Sequence, residues 1–157
     1  MRQPACDLIA RDYILRMTLA LPDMICFALY SATHAMQHVY KPLLDDLGLT
    51  YPQYLVLTAL WETDIQTVGA LGRQVQLESN TLTPLLKRLE ERGFVTRSRD
   101  GKDERQVNVS LTDAGQALKH RAAHIPECVL QKSGLSAEDL THLRDQITTL
   151  RDHLRSR

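Results

Sequence analysis

The chain has few cysteines, no long apolar run and no excess of either charge, and each lack removes a class of function. Cys6, Cys26 and Cys128 are the three cysteines in 157 residues. None forms a CxxC pair, and no cysteine–histidine grouping has zinc-ligand spacing, so neither metal nor cofactor is expected. An odd, sparse set argues for a reducing, cytoplasmic setting and against a secreted disulfide framework. No apolar run approaches the roughly 20 residues of a membrane span. Arg2, Asp7, Arg11, Asp12 and Arg16 interrupt any signal-like segment. Serine, histidine and aspartate are present, but no GxSxG elbow or phosphate loop accompanies them. The formal charge is zero, 19 basic residues against 19 acidic. A nucleic-acid binder of this balance has to concentrate its cations locally.

What is present is a soluble-protein composition, 43% hydrophobic and 24% charged, in a chain long enough to bury a core without disulfides. Helical signals dominate. Residues 1–21 form an N-terminal extension with an amphipathic segment from Asp7 to Leu19. From Pro22 to about Leu47 runs a long helical pattern ended by Gly48, with Pro42 inside it as a kink or a break. Thr50-Tyr51-Pro52 opens a helix through Trp61. Thr67 caps a short helix, and LESNTLTPLLKRLEERG forms another. The period then changes from helical to alternating. Phe94–Ser98 and Gln106–Ser110 read as two strands around a charged loop at Gly101, a β-hairpin. Thr112 caps the next helix, which reaches Pro126, and Ser136 with Asp139 opens the last. The expected fold is mainly α with a small β-hairpin. It is a winged helix-turn-helix domain (51–111), preceded by an N-terminal dimerisation and sensor helix (22–50) and followed by C-terminal dimerisation helices (112–157). Apolar stripes on the flanking helices call for a second copy, a homodimer.

Two constellations carry chemistry. The first is basic: Lys87, Arg88, Arg92, Arg97, Arg99, Lys102 and Arg105 cluster on one helix end and the hairpin. The helix before them begins Glu78-Ser79-Asn80-Thr81, short hydrogen-bonding side chains that reach base edges when a helix N-terminus enters a major groove. Arg105 is placed to enter a minor groove, where negative potential favours arginine. The competing reading, a solvated polar face, weakens once the charged hairpin follows. The second constellation surrounds Cys26, in a first helical turn where unpaired amides and the helix dipole favour negative charge, while Asp23 opposes it. At about 100° per residue, Cys26, Tyr30 and Tyr40 fall within an arc of about 80°. Tyr30 is one turn from Cys26. Tyr40 lies about 21 Å along a straight helix, out of reach of its own Cys26 unless the chain bends back, whereas in an antiparallel dimer the partner's Tyr40 could arrive there, and Tyr51 with it. A buried structural cysteine and dimer-core tyrosines are the alternative. His34 and His38, one turn apart, fit a dimer-helix face better than a metal.

Residues 51–115 resemble the MarR-family regulators: Asp103-Glu104-Arg105, then Leu111-Thr112 and Ala114-Gly115, is a specific wing pattern. TLTPLLKRLEERGFVTR, CFALYSATHAMQHVYKPLL and TYPQYLVLTALWE are similar to the organic hydroperoxide resistance regulators, over roughly residues 22–154. The resemblance implies a dimeric repressor, not an enzyme, that binds a palindromic double-stranded operator and leaves it when an organic hydroperoxide oxidises Cys26. It implies DNA-facing roles for Glu78, Ser79, Thr81 and Arg88, a wing-tip role for Arg105 and a supporting carboxylate at Asp103. It also implies that one subunit's cysteine is hydrogen-bonded by two tyrosines of the other, the family's spacing being matched by Cys26, Tyr30, Tyr40 and Tyr51. Cys128 is the candidate resolving thiol, about one turn earlier than the two-cysteine pattern, where Gln131 stands. Capping of Cys26 by a small thiol is the other outcome. A regulator answering to a small aromatic ligand, a thiol peroxidase and a purely structural dimerisation module are the rival functions.

Overall fold

A computed structural model describes residues 20–99 and 106–156. Its elements follow from local chemistry. A single 3-10 turn, Leu21–Asp23, leads into α1 (Ile25–Asp45). Pro42 does not split α1. It has no amide proton to give to the carbonyl four residues back, so the ladder loses one rung and the helix continues. The division of the chain into two compact units, at His38 and Val39, falls in this same turn.

The unit from Val39 onward builds its own core. Helix α2 (Tyr51–Glu62) starts on Thr50, whose amide donates to Gln53 Oε1 (2.9 Å). Strand β1 (Gln66–Thr67) runs into α3 (Val68–Val75), capped by Thr67 Oγ1 accepting from the Ala70 amide (3.1 Å). Helix α4 (Ser79–Glu91) then leads through Gly93 to β2 (Val95–Arg99) and β3 (Val107–Leu111). Leu57, Leu60, Leu71, Leu82, Leu86, Leu89 and Ile125 are fully buried together. Each such leucine contributes roughly 1.5–3 kcal/mol of transfer free energy.

The sheet has three strands in the order β1-β3-β2, where the sequence indicates a two-stranded hairpin. β1 pairs antiparallel with β3, Gln66 opposite Val109 and Thr67 opposite Asn108. Two residues are too few to show alternation. Asp64 Oδ1 brings this edge in by accepting from the amides of Ile65 (2.8 Å) and Leu111 (2.9 Å). Along the hairpin Val95 faces Leu111 and Arg99 faces Val107, so both strands sit one residue later than expected. The loop joining them lies outside the described residues.

After β3, Thr112 does two jobs. Its Oγ1 accepts from the Gly115 amide (3.0 Å) to start α5 (Asp113–Ala122), and its hydroxyl donates to the Gly93 carbonyl. Gly115 is buried, and any Cβ there would run into the carbonyl oxygen of Phe94. Its own carbonyl accepts from Trp61 Nε1 (3.0 Å). The Leu-Thr…Ala-Gly pattern thus locks wing, α2 and α5 together. The helix expected to reach Pro126 instead ends at Ala122, and α6 (Ile125–Ser133) begins anew. Pro126 falls in its first turn, where no donor is required. Helix α7 (Ala137–Arg155) is capped by Ser136, which accepts from the Asp139 amide (3.1 Å). The shorter aspartate side chain takes the serine hydroxyl proton (2.6 Å) instead of reaching back to the cap amide, as a glutamate would. No residue of α7 is buried. Leu140, Leu143, Ile147, Leu150 and Leu154 repeat at alternating steps of three and four, the spacing of a helix–helix seam.

Candidate nucleic-acid interface and candidate redox site

Helix α4 presents two faces. Leu82, Leu85, Leu86 and Leu89 are buried, while Ser79, Asn80, Thr81, Thr83, Pro84, Lys87 and Arg88 are exposed. Glu78 is the N-cap residue, so the helix start projects short polar side chains into solvent. At about 100° per residue the exposed stripe centres on Asn80, Pro84 and Lys87, with Ser79 and Thr81 on its two flanks. Ser79 and Thr83 line one cleft of about 520 Å³ with Thr67, Arg73, Arg97 and Gln106. Thr81 and Arg88 line a second, of about 280 Å³, with Thr50, Pro52 and Gln53 at the start of α2. Asn80 and Lys87, already in the helix start and the basic cluster read from sequence, sit at the centre of this stripe. Their signal was available: they lie opposite the leucine stripe.

Two arginines of the basic cluster are engaged within the protein. Arg97 meets Glu90 through Nη2 (2.6 Å) and Nε (2.8 Å), and its amide also donates to Glu90 Oε1 (3.1 Å). These hydrogen bonds hold the Glu90 carboxyl below its ordinary value. Arg92 donates to the carbonyl of Gly48 and its guanidinium carbon stands 4.7 Å from the Phe94 ring centroid. Arg88 and Arg99 remain as exposed cations of α4 and β2. The expected contacts of Asp103 and Arg105 lie outside the described residues, as does Cys6.

Cys26 is the second residue of α1, exposed and not in a disulfide. The first ladder bond of that helix runs from the Ala28 amide to the Met24 carbonyl (3.0 Å), so the Cys26 amide precedes the ladder. Within the single chain, nothing buries the Cys26 side chain. Around it stand Ile25 (55% exposed), Phe27 (36%) and Tyr30 (61%). Tyr30 lies 6.5 Å from Phe27 and meets His34 edge-on at 4.4 Å between centroids.

The second unit holds the other phenols of the described residues. Tyr40, near the end of α1, meets Tyr51, the first residue of α2, at 4.9 Å with rings at 61°. Tyr54 extends the group, 6.1 Å from Tyr40 and 6.1 Å from Trp61. Burial pushes the Tyr40 phenol up to about 12, helped by the neighbouring Tyr51 and Tyr54. Burial raises Tyr51 and Tyr54 as well. All three are therefore O–H donors at neutral pH. Tyr54 is not among the phenols singled out from the sequence; its place three residues after Tyr51, on the same helix face, is the available clue. Cys128 is a free thiol, partly exposed on α6, with Gln131 one turn on and bonded to Glu127 (3.3 Å). Among the described residues no His, Cys, Asp or Glu group could hold a metal ion, and no helix is long and apolar enough to cross a membrane.

Residues 38–122 match the family profile of the SarA/Rot transcriptional regulators. Over 134 residues the chain is 48% identical to the organic hydroperoxide resistance transcriptional regulator of Bacillus subtilis, covering 85% of this chain and 91% of that protein. The chain belongs to the organic hydroperoxide resistance regulators of the winged-helix MarR type. It is a transcriptional regulator and not an enzyme. Two structures of AbfR, a Staphylococcus epidermidis protein, are also similar. The reduced form bound to DNA superposes with a TM-score of 0.72 at 36% identity, covering 85% of this chain and 93% of that one. The disulfide form gives 0.65 at 36% identity, with 87% and 93% covered.

Proposed function

We propose that this regulator is a homodimeric repressor that holds a palindromic operator while Cys26 is reduced and leaves it when an organic hydroperoxide oxidises that sulfur. The observation that carries the reading is the exposed Cys26 in the first turn of α1, in a chain of the organic hydroperoxide resistance family. Structures of the relative AbfR in a reduced, DNA-bound form and in a disulfide form support it, and its overoxidised form bound to DNA indicates that the disulfide is the releasing state there.

On the DNA side, Glu78, Ser79, Thr81 and Arg88 of α4 enter a major groove, and Arg105, supported by Asp103, enters the minor groove beside it. On the sensor side, Cys26 of one protomer faces the partner's Tyr40 and Tyr51, with Tyr30 one turn away on its own helix. The phenols stay protonated and so can donate to a sulfur anion. The thiolate attacks the distal peroxide oxygen. The O–O bond breaks, the sulfur loses two electrons to become sulfenic acid, and the peroxide leaves as an alcohol. The sulfenic acid then condenses with a thiol, releasing water. That thiol is Cys128 of the partner or a small cellular thiol. Apolar neighbours, Phe27, Ala28, Leu29 and Met36, favour an organic peroxide over hydrogen peroxide. The leucine seam of α7 and the exposed apolar residues of α1 support the dimer.

The test is a release assay with Cys26→Ser. The variant should bind a duplex selected from a random library as tightly as the parent and keep it when cumene hydroperoxide is added. Release from Cys26→Ser at the parent's peroxide concentration would remove Cys26 from the mechanism.

A further inference from the structure

The short turn between α1 and α2, residues 46–50, does more than connect two helices. It sets Tyr40 against Tyr51, because one ring stands just before it and the other just after. Its carbonyls are held by two arginines from elsewhere in the fold. Arg121 of α5 donates through Nη2 to the carbonyl of Asp46 (3.0 Å). Arg92, the C-cap residue of α4, donates through Nη1 to the carbonyl of Gly48. The Arg92 guanidinium is seated on Phe94, at the entry to β2. Gly48 accommodates it twice over. Its φ of +66° is left-handed, and a Cβ there would come within 2.8 Å of Arg92 Nη2. Further along the same face of α4, Thr81, Pro84, Leu85 and Arg88 border Thr50, Pro52 and Gln53. One side of the candidate reading helix therefore runs along the turn that builds the tyrosine pair.

We infer that Arg92 is a positioning residue that couples the Tyr40–Tyr51 pair to α4. By holding the Gly48 carbonyl, it makes the seating of α4 depend on the seating of the two phenols. The proposal rests on the sensor reading above, in which these phenols face an oxidisable sulfur. It adds the physical link from that site to the DNA. Arginine suits the place because its planar fork bonds a carbonyl while its face lies on an aromatic ring, which lysine does not do equally well.

Coupling between two sites is reciprocal, so the link is testable without any peroxide. The dimer, labelled with 3-fluorotyrosine and kept reduced, is titrated with a duplex selected from a random library, and the fluorine resonances of Tyr40 and Tyr51 are followed. Both should shift on DNA binding in the parent. In Arg92→Met and Arg92→Lys the shift should be largely lost, while circular dichroism and the resonances of the free protein stay near the parent's. The same variants should retain on the order of fivefold more DNA than the parent once Cys26 is fully oxidised, at an unchanged rate of Cys26 oxidation. Equal fluorine shifts in parent and variants, or none in the parent, would overturn the proposal. If Cys26 oxidation fails to release DNA from the parent, the sensor reading fails, and the fluorine comparison still decides the link.

Discussion

The winged-helix body and the helices that flank it are built on opposite terms. The body, from the end of α1 to α6, closes a leucine-rich core with its own residues, and Thr67, Thr112 and Trp61 hold chain reversals of the described residues by caps or a hydrogen bond across the fold. The flanking helices do not close anything alone. Before His38, α1 buries no side chain, and α7 buries none along its whole length. The lesson is that one chain suffices to present α4, whereas the sensor side, as proposed, calls for a second copy. Under the proposed function, a reading head with its own core and a sensor shared between two chains make dimer geometry govern DNA binding.

The contrast can be broken most forcefully from inside the body. Leu86→Ala removes a fully buried side chain between α4 and the core. It should cost about 2–5 kcal/mol in denaturant unfolding, and DNA binding should fall with it. A loss under about 1 kcal/mol would mean that the body is not the packed unit described here. The flanking helices should respond differently. Leu143→Asp with Ile147→Asp places charges on the α7 seam and should convert the dimer to monomers by sedimentation, leaving the helical content of the body. An intact dimer would move the interface elsewhere.

Within the body, two arginines sharpen the comparison. Arg88→Ala should weaken duplex binding by about 1–3 kcal/mol and lower the salt slope by about one. Arg97→Ala should instead lower the melting temperature and leave the salt slope unchanged, because that guanidinium is occupied by Glu90. Equal salt slopes for both variants would contradict the assignment. The smallest effect is a pH dependence. The Tyr40 phenol, pushed up to about 12, is raised above its unfolded value near 10. Its contribution to stability is complete below that unfolded value and is lost as pH rises through the folded one. Phenolate absorbance should therefore show Tyr40 titrating late, and Tyr40→Phe should flatten the alkaline stability loss. An unchanged alkaline profile in that variant would assign the loss to other groups.

Much of this was legible in the chain itself. Thr67, Thr112 and Ser136 announce three helix starts, because a short oxygen-bearing side chain before an apolar period has few other uses. The switch from leucines at helical spacing to Val-Thr and Val-Asn-Val alternation marks the wing. β1 was not legible, since two residues have no period and Asp64 recruits them from outside any pattern. Nor was the engagement of Arg97. Glu90 lies seven residues earlier, across a helix end and a strand start, and only the fold brings them within 2.6 Å. Tyr40 and Tyr51 were expected to converge at a partner's cysteine. What a single chain adds is that they already pack on each other, joined by Tyr54.

The central claim is that one oxidation at Cys26 releases DNA. It is tested most directly by adding cumene hydroperoxide to the DNA-bound reduced dimer in sub-stoichiometric steps, reading intact mass, non-reducing mobility and bound DNA at each step. The account predicts that DNA leaves in proportion to modified Cys26, about one peroxide per thiol. The modification would be a Cys26–Cys128 bridge between chains, or, on a single chain, an added oxygen or small thiol. Release with both sulfurs unmodified, or full oxidation of Cys26 with DNA still bound, would contradict it.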